Sequence, residues 1–230
     1  MIVEERLVTY INSLDRGTDG LLAEIEEEAR RTFVPVIRKE TQNLLKLLLA
    51  MNRPERILEV GTAVGFSALL MEDSNPVPCE ITTIENYEKR IPVAKANFLR
   101  AGKQNVIKLS EGDAAQVLKE LTGSYDFIFM DAAKGQYIHF LPEVMRLLRT
   151  GGVLVSDNVL QDGDIIQSRF AVTRRNRTIH KRMRDYLYEL THMEGLRTSI
   201  LPIGDGVTVS VKEESNEQEK TGTAGAGQQP

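Results

Sequence analysis

The chain lacks the features that would place it among disulfide-rich, zinc-binding or membrane proteins. Its 230 residues contain one cysteine, Cys79, so no disulfide can form within the chain and nothing indicates an oxidising compartment. Its three histidines are scattered, which does not support a zinc site of the Cys/His kind. No apolar run approaches the roughly 20 residues of a membrane span, and the first residues lack a signal-peptide pattern. We therefore expect a cytoplasmic protein without a membrane partner.

Acidic charge is concentrated at the C-terminal end. The formal net charge is -4, and residues 213–230 contribute four glutamates against the single lysine Lys220. This stretch is otherwise rich in glycine, glutamine and threonine, and it has few apolar residues to offset the entropy that ordering would cost. We predict one folded domain over residues 1–212, of which residues 1–52 form an N-terminal helical part. A disordered polar tail is predicted over 213–230.

Short apolar runs alternate with helical segments in the middle of the chain. Runs of strand character occupy 56–60, 81–85, 105–109, 125–130 and 153–156. Such alternation is typical of an α/β fold with a mainly parallel sheet and right-handed crossovers. Before these runs, residues 4–51 have helical spacing that is interrupted at Pro35, which requires at least two helices.

The apolar pattern changes after residue 156. A long polar segment over 161–194 precedes two apolar runs at 197–201 and 206–211. The turn residues between these runs predict a hairpin. One strand must therefore enter the sheet antiparallel to the others.

Two neighbouring strands of the predicted sheet end in acidic residues. Asp131 follows the run 125–130, and Asp157 with Asn158 follows the run 153–156. Because the carboxyl ends of adjacent parallel strands line one crevice, the three side chains should meet there. Oxygen ligands of this kind suit Mg²⁺ or a similar divalent cation. Either aspartate alone could simply end a strand or cap a helix, but the pair with the adjoining amide predicts a metal site.

The loop after the first strand predicts nucleoside binding. Gly61 and Gly65 stand between that strand and a helix, where glycine lets the backbone approach a ligand and the helix N-terminus favours negative charge. Ala63 stands where a middle glycine is expected, so the spacing disfavours a nicotinamide dinucleotide. Glu85, at the end of the second strand, could accept both hydroxyls of a ribose, and Asp113, past the third, could reach the adenine. A tight strand–helix turn is the alternative for the glycines alone.

These residues together resemble the class I S-adenosylmethionine-dependent methyltransferases. More narrowly, they resemble the cation-dependent O-methyltransferase family that includes the catechol and caffeoyl-CoA enzymes. The resemblance covers about residues 34–211 and is carried by short motifs at 58–62, 65–67, 85, 112–114, 131–134 and 157–158. It implies an α/β, Rossmann-like seven-stranded sheet flanked by helices, with the last strand antiparallel and extra N-terminal helices.

The resemblance also implies S-adenosylmethionine as the cofactor. Gly61 and Ser67 would contact its methionine portion and Glu85 its ribose, while the adenine side falls to residues 113–114 and one contact comes from the N-terminal helices. Tyr137 either walls this pocket or simply packs. The residues assigned to the cofactor site are Ile37, Gly61, Ser67, Glu85, Asp113, Ala114 and Asp131.

The implied reaction joins the metal site to a base. Asp131, Asp157 and Asn158 match the family's ligands for Mg²⁺ or another divalent cation one for one. A bound cation lowers the pKa of a coordinated hydroxyl and so activates the acceptor oxygen. Lys134, one short turn after Asp131, faces the same site and is implied as the general base, with a surface lysine at a helix start as the alternative. Lys134 and Asp131 are therefore the expected catalytic residues.

A basic segment follows the predicted metal site. Residues 169–184 contain six arginines and one lysine but no acidic residue. Beside a pocket, such a cluster suits a substrate that carries phosphates, and a solvated helix face is the alternative. The arrangement most resembles the bacterial tRNA 5-hydroxyuridine O-methyltransferases, which predicts methylation of the wobble uridine in the anticodon region of a tRNA to 5-methoxyuridine. The residues predicted to contact the tRNA are Arg174, Arg175, Arg177 and Arg182.

Other functions stay open on the sequence alone. A small catechol-like molecule or an acyl-CoA is the alternative acceptor, because the phosphates of coenzyme A would also suit the arginines. A non-catalytic nucleic-acid-binding module would have no use for acids at 131 and 157, and a dehydrogenase is disfavoured by the glycine spacing. The apolar surplus of the N-terminal helices predicts a homodimer.

Overall fold

Three helices precede the sheet in the computed structural model, which describes residues 2–168 and 170–214. They are α1 (Glu5–Ser13), α2 (Gly20–Arg31) and α3 (Lys39–Asn52). Pro35 lies between α2 and α3, which confirms the predicted interruption, because proline has no N–H to continue a helix. A second break at residues 14–19 separates α1 from α2, and the sequence pattern did not distinguish it.

The described residues form seven strands in one sheet. Along the chain they are β1 (Arg56–Val60), β2 (Glu80–Glu85), β3 (Ile107–Glu111), β4 (Tyr125–Met130), β5 (Leu148–Ser156), β6 (Leu196–Leu201) and β7 (Val207–Lys212). Their order across the sheet is β3-β2-β1-β4-β5-β7-β6. The first five are parallel to one another, and β7 runs antiparallel to its neighbours β5 and β6. The predicted α/β sheet with an antiparallel last strand is confirmed.

Helices cover both faces of this sheet. Beyond the first three they are α4 (Phe66–Ser74), α5 (Ile91–Arg100), α6 (Ala114–Glu120), α7 (Tyr137–Leu147) and α8 (Arg177–His192), with 3₁₀ turns at Lys134–Gln136 and Gln161–Ile166. In β4, Phe127 and Phe129 pack in the cluster that holds residues of α2 to α5. Ile128 and Met130 pack in the cluster that holds residues of α6 to α8. Because both faces are buried, the central strands are continuously apolar.

Two strands, β5 and β3, differ from the sequence pattern by more than one residue at an end. β5 begins at Leu148 rather than at residue 153, because Leu148 pairs with Tyr125 before the ladder shifts register. Gly151 and Gly152 interrupt the apolar pattern, so the predicted strand began only after them. β3 ends at Glu111 rather than at residue 109, because the polar Ser110 and Glu111 still pair with β2. Polar residues at the edge of the sheet therefore hid the true end of this strand.

The register of the sheet brings three strand ends together. Val60 pairs with Met130, and Met130 pairs with Ser156. The N–H of Asp131 donates to the Val60 carbonyl at 2.9 Å, and the N–H of Asp157 donates to the Met130 carbonyl at 2.9 Å. The residues that follow β1, β4 and β5 therefore lie side by side, as predicted for the two aspartates.

The structure describes only part of the predicted C-terminal tail and of the basic segment. Glu213, the first residue of the predicted tail, pairs with Arg197 at 2.6 Å between Oε1 and Nε. Residues 215–230 of that tail, and Arg169 of the basic segment, lie outside the described residues. Within the described ranges, every helix is too short or too polar to cross a membrane.

The hydroxyl of Tyr137 fastens the ends of β4 and β5. The side chain is fully buried. Its hydroxyl lies 3.2 Å from the carbonyl oxygens of Met130 and Asp157, to which it can donate, and it accepts from the N–H of Ala132 at 3.1 Å. Burial raises the pKa of Tyr137 well above its usual value. The hydroxyl therefore keeps its proton and serves as a structural bridge.

We predict that Tyr137→Phe lowers the free energy of unfolding by about 1–3 kcal/mol, the usual effect of leaving buried hydrogen-bonding groups unpaired. Urea unfolding followed by circular dichroism measures this change. Tyr188→Phe is the matched control, because Tyr188 is 61% exposed and its loss should stay within about 0.5 kcal/mol. Equal losses in the two variants would contradict the bridging role of Tyr137.

Candidate active site

A cleft of about 550 Å³ opens at the carboxyl edge of the sheet. The loops after β1, β2, β3 and β4 line it, together with residues 35–38 just before α3. Tyr137 does not line the cleft. Of the two roles considered for it, a wall of the cofactor pocket or simple packing, the structure shows packing. The fold thus brings segments that are far apart in sequence around one cavity. The predicted site residues that line it are Ile37, Gly61, Glu85, Asp113, Ala114, Asp131 and Asn158.

The loop after β1 passes very close to the end of β4. Gly61 has a φ of +105°, and a Cβ built on it would lie 2.0 Å from the carbonyl oxygen of Asp131. A side chain here would therefore collide with backbone. Gly65 has a φ of +83°, and a Cβ on it would lie 2.5 Å from the ring of Phe98. Close packing requires both glycines, whether or not a ligand approaches the loop.

Backbone groups hold the carboxylate of Glu85 in place. Ala63 has a φ of +47°, the left-handed conformation that a middle glycine would adopt, and its N–H donates to Glu85 Oε2 at 2.8 Å. The N–H groups of Asn86 and Tyr87 donate to Oε1 at 3.0 and 2.9 Å. A carboxylate offers about four acceptor positions, so Glu85 can accept a further O–H. The residue predicted to hold a ribose is therefore oriented before any ligand binds.

Asp113 caps the helix at the next strand end. Its carboxylate accepts from the N–H of Ala115 at 2.8 Å and so satisfies one free donor of α6. The N–H of Gly112 donates to the Glu85 carbonyl at 2.9 Å. The loops after β2 and β3 are thereby joined, which places Asp113 and Ala114 beside Glu85 at the cleft.

A buried carboxyl group with no predicted role lies behind the loop after β1. Glu59 is fully buried in β1 and accepts from the hydroxyls of Ser67 and Thr83, both at 2.5 Å. Burial raises the pKa of Glu59 to about 7 against the effect of these hydrogen bonds. Ser67, assigned to the cofactor, therefore directs its hydroxyl at Glu59 and lines a small recess beside the main cleft. The sequence signal that could have identified Glu59 is its place as a glutamate inside an otherwise apolar strand.

The three predicted metal ligands follow the neighbouring strands β4 and β5 at the edge of the cleft. Asp131 and Asn158 line it, and Asp157 is 1% exposed. Burial, and next the charge of Asp157, raise the pKa of Asp131 to about 7, whereas Lys134 and Arg90 act in the opposite direction. Burial also raises the pKa of Asp157. Because the charge of Asp157 acts on Asp131, a cation near the two carboxylates would stabilise their charged forms.

The donor set fits a hard divalent cation. Within residues 2–168 and 170–214, no three or more His, Cys, Asp or Glu side chains are grouped in a way that could hold a metal ion. The predicted set is of another kind, because it joins two carboxylates to the amide of Asn158. Such oxygen donors suit an ion that takes its remaining ligands from water or from a substrate.

Lys134 is paired with an acid of the predicted hairpin turn. Its Nζ donates to Asp205 Oδ2 at 2.8 Å, and the two side chains are 33% and 8% exposed. Asp205 lies in the turn between β6 and β7 and lines the cleft, whereas Lys134 does not. An acid between Gly204 and Gly206 is also found in ordinary turns, so the pattern was not distinctive. Arg90, which lines the cleft as well, had no distinguishing sequence pattern.

The basic segment lies outside the cleft. None of its four predicted tRNA-binding arginines belongs to the lining as far as the chain is described. Arg182 donates to the carbonyl oxygen of Gly135 at 3.1 Å, and Arg177 donates to a carbonyl within its own segment. Arg174 and Arg175 are exposed. The segment therefore borders the 3₁₀ turn before α7 through Arg182, and Arg174 and Arg175 face solvent.

Known proteins with similar sequence and structure are methyltransferases. The O-methyltransferase family model matches residues 13–213. A caffeoyl-CoA O-methyltransferase of Medicago sativa is 31% identical over 209 residues, which are 80% of this chain and 81% of that protein. A catechol O-methyltransferase of Niastella koreensis is 32% identical over 163 residues, 68% of this chain and 74% of that protein. The SAH-bound methyltransferase PaMTH1 of Podospora anserina is 26% identical with a TM-score of 0.82, covering 91% of this chain and 95% of that one.

A seven-stranded sheet of this order, with a glycine loop and acidic strand ends around one cleft, defines a Rossmann-like methyltransferase. The chain belongs to the O-methyltransferase family, whose model matches it from residue 13 to residue 213. It is accordingly an enzyme, an S-adenosylmethionine-dependent O-methyltransferase, and the predicted family and enzyme class are confirmed. The narrower resemblance to the tRNA enzymes is not shown by these matches.

We predict that Gly61→Ala unfolds the loop after β1 and abolishes S-adenosylmethionine binding, because the new Cβ would overlap the Asp131 carbonyl. Urea unfolding and calorimetric titration with S-adenosylmethionine measure the two effects. Gly102→Ala is the matched control, since Gly102 has a φ of +67° with nothing within 4 Å of a built Cβ. It should lose only the roughly 1–2 kcal/mol of a left-handed alanine and keep its cofactor affinity. Similar results for the two variants would contradict the close contact.

Proposed function

We propose that this enzyme methylates one hydroxyl of a small acceptor that carries two neighbouring oxygen groups, such as a catechol or caffeoyl-CoA, with Mg²⁺ or another divalent cation. The observation that carries the proposal is that Asp131 and Asn158 line the same cleft as Glu85, with the buried carboxylate of Asp157 bonded to the N–H of Asn158. A catechol offers two oxygens to one cation, which suits a site with few protein ligands. The names of the Medicago and Niastella relatives support acceptors of this class.

We assign S-adenosylmethionine to the cleft. Its positively charged sulfur would supply the methyl group. Glu85 is oriented by three N–H donors and can accept from ribose hydroxyls, and the neighbouring Asp113 and Ala114 are assigned to the adenine side. Gly61 and Ile37 line the same cleft, and Ser67 lies in the recess beside it. The SAH-bound relative of similar fold supports this assignment.

We assign the divalent cation to Asp131, Asp157 and Asn158. When bound, such an ion lowers the pKa of a coordinated hydroxyl and orients it towards the methyl group. The N–H of Asn158 donates to Asp157 Oδ1 at 2.7 Å, which orients that carboxylate. The raised pKa of Asp131 supports the assignment, because a nearby positive charge would relieve the burial of two acids.

The acceptor must lose a proton before or during transfer. Methyl transfer would form a C–O bond at the acceptor and break the C–S bond of the donor, with the electron pair left on sulfur, so the attacking oxygen would have to give up its proton. Lys134 is the proposed base, with Asp131 beside it at the same strand end. Lys134 Nζ is held by Asp205 in this structure, and its amine form would take the acceptor proton.

A tRNA anticodon base is the second candidate acceptor. A 5-hydroxyuridine also presents a hydroxyl beside a carbonyl oxygen, so the same metal chemistry would serve. The exposed Arg174 and Arg175 favour it, because basic side chains in a segment without acidic residues suit the phosphates of a nucleic acid, although they lie outside the cleft. The names of the relatives favour the small acceptor instead, and we rank it first. A tRNA partner therefore stays a prediction.

The homodimer also stays a prediction. Helix α1 has no buried residue, and three apolar side chains at helical spacing are about half-exposed or more, Leu7, Ile11 and Leu14. An apolar face of this kind is consistent with a second copy of the chain, as proposed for the N-terminal helices.

We predict that removal of the divalent cation with EDTA abolishes turnover of a catechol probe and leaves S-adenosylmethionine binding intact. Added Mg²⁺ or Mn²⁺ should restore the activity. Asp157→Ala should behave like the chelated enzyme, because the metal serves the acceptor. The measurements are methyl transfer by mass spectrometry and cofactor binding by calorimetry.

Glu85→Ala is the matched variant on the cofactor side. It should weaken S-adenosylmethionine binding by about 1.5–3 kcal/mol, the usual contribution of hydrogen bonds to a charged group. Full turnover in excess chelator would overturn the metal assignment, and undiminished cofactor affinity in Glu85→Ala would overturn the cofactor assignment.

The two acceptor classes are separated by neutralising the basic segment. If the tRNA is the substrate, changing all four arginines to glutamine should raise its Michaelis constant strongly, and wild-type binding should weaken steeply with salt as counterions are released. Turnover of a small catechol should barely change. We expect the wild type and the variant with four arginines changed both to methylate the catechol. We expect neither of them to methylate tRNA. The substituted residues are Arg174, Arg175, Arg177 and Arg182.

A control variant removes the same charge from the surface elsewhere. Its four substitutions to glutamine fall on exposed basic residues outside the segment, Arg31, Arg53, Lys108 and Lys119. If tRNA is methylated by the wild type and the control but not by the segment variant, the tRNA function replaces the small-molecule one. Nucleoside mass spectrometry of the tRNA supplies this readout.

A further inference from the structure

The turn between β6 and β7 carries an acid into the cleft. Asp205 lies in this turn, is 7% exposed and contributes to the cleft lining. Its position in sequence is far from the residues of the other strand ends, and it belongs neither to the assigned metal ligands nor to the assigned cofactor site. A buried carboxylate with no role in that chemistry needs another explanation.

Both carboxylate oxygens of Asp205 are engaged across the cleft edge. Oδ2 accepts from Lys134 Nζ at 2.8 Å. Oδ1 accepts from the backbone N–H of Asp162. The backbone of Asp205 is held as well, because its carbonyl accepts from the N–H of Leu160 at 3.0 Å. Asp205 therefore links the proposed base to the segment that directly follows Asn158.

Close packing keeps the turn from shifting. Gly206 has a φ of +88°, and a Cβ built on it would lie 2.3 Å from Leu160 Cγ and 2.7 Å from its backbone nitrogen. The N–H of Val159 donates to the Gly206 carbonyl at 2.9 Å. The carboxylate of Asp205 is therefore presented from a turn locked against residues 159–160.

The side chain of Lys134 is flexible, unlike the turn that carries Asp205. It has four rotatable bonds and a point charge without directional preference, so Lys134 alone would sample many positions. A proton transfer needs the base within hydrogen-bond reach of the acceptor. A rigidly held carboxylate partner is a direct means of limiting where Nζ can be.

We propose that Asp205 is a positioning residue that holds Lys134 Nζ beside the metal site during methyl transfer. The inference rests on the proposed function, in which Lys134 takes the acceptor proton. When the lysine receives that proton, Asp205 is already in place to accept a hydrogen bond from the ammonium group. The competing explanation is that Asp205 only fastens the β6–β7 turn.

Asp205→Asn separates these explanations. The amide oxygen can still accept from the Asp162 N–H, whereas the charge that holds Lys134 is lost. We expect the turnover number for a catechol probe to fall about 10- to 100-fold, within the range that a positioned base contributes. S-adenosylmethionine affinity should stay within about twofold. The double variant Asp205→Asn with Lys134→Met should be no slower than Lys134→Met alone, because both changes remove one function.

The matched control is Glu72→Gln. Glu72 accepts from Lys103 at 2.6 Å, and the two side chains are 15% and 39% exposed, close to the values for Asp205 and Lys134. This pair lies away from the cleft, so turnover should not change. If Asp205→Asn lowers only the melting temperature, or if its effect multiplies with that of Lys134→Met, the positioning role is overturned.

A second measurement needs no turnover. Lys134 Nζ should give a protected ¹H–¹⁵N ammonium resonance, assigned by its absence in Lys134→Arg, whereas the exposed Lys119 should give none. Asp205→Asn should abolish that resonance. A Lys134 signal like that of Lys119 in the wild type overturns the inference. Absence of catechol turnover together with a protected Lys134 resonance would overturn the proposed function and keep the Asp205 contact.

Discussion

The close passage of the loop after β1 over the end of β4 is the constraint on which the site depends. Gly61 has no side chain, so its backbone can lie where a Cβ would come within 2.0 Å of the Asp131 carbonyl oxygen. This contact sets the loop that lines the cofactor cleft beside the first acidic strand end. One added methyl group would push the two apart, because a backbone carbonyl cannot rotate away as a flexible side chain can.

Helices on both faces of the sheet leave its carboxyl edge as the place where polar groups collect. The carboxyl groups of Glu85, Asp113, Asp131 and Asp205 line the cleft there, and burial raises the pKa of Asp131, and that of Glu59 in β1, to about 7. Two positive groups, Lys134 and Arg90, lower the pKa of Asp131 and so offset this rise only in part. A cleft with surplus acid suits an enzyme whose methyl donor is a sulfonium. It also supports the proposed divalent cation.

Residues at strand ends could be located from the sequence, because an apolar run marks where each strand stops. Asp131 and Asp157 follow such runs and Glu85 ends one, and the structure brings all three to the same edge of the sheet. The contact of Ser67 was harder to predict from the sequence. Its hydroxyl points at Glu59, and this direction depends on how α4 packs on β1. The basic segment was visible as charge, yet its place outside the cleft depends on where α8 docks.

Local pattern thus determined the alternation of strands and helices, the antiparallel last strand and the acids at the strand ends. These follow from hydrophobic period and turn residues, which act over a few neighbouring residues. Only the tertiary structure decided the partner of Lys134, since Asp205 lies 71 residues away along the chain. That contact depends on Gly206 packing against Leu160 and on the β6–β7 turn meeting the segment after β5. No local preference encodes a fit between two surfaces that meet only when the sheet is complete.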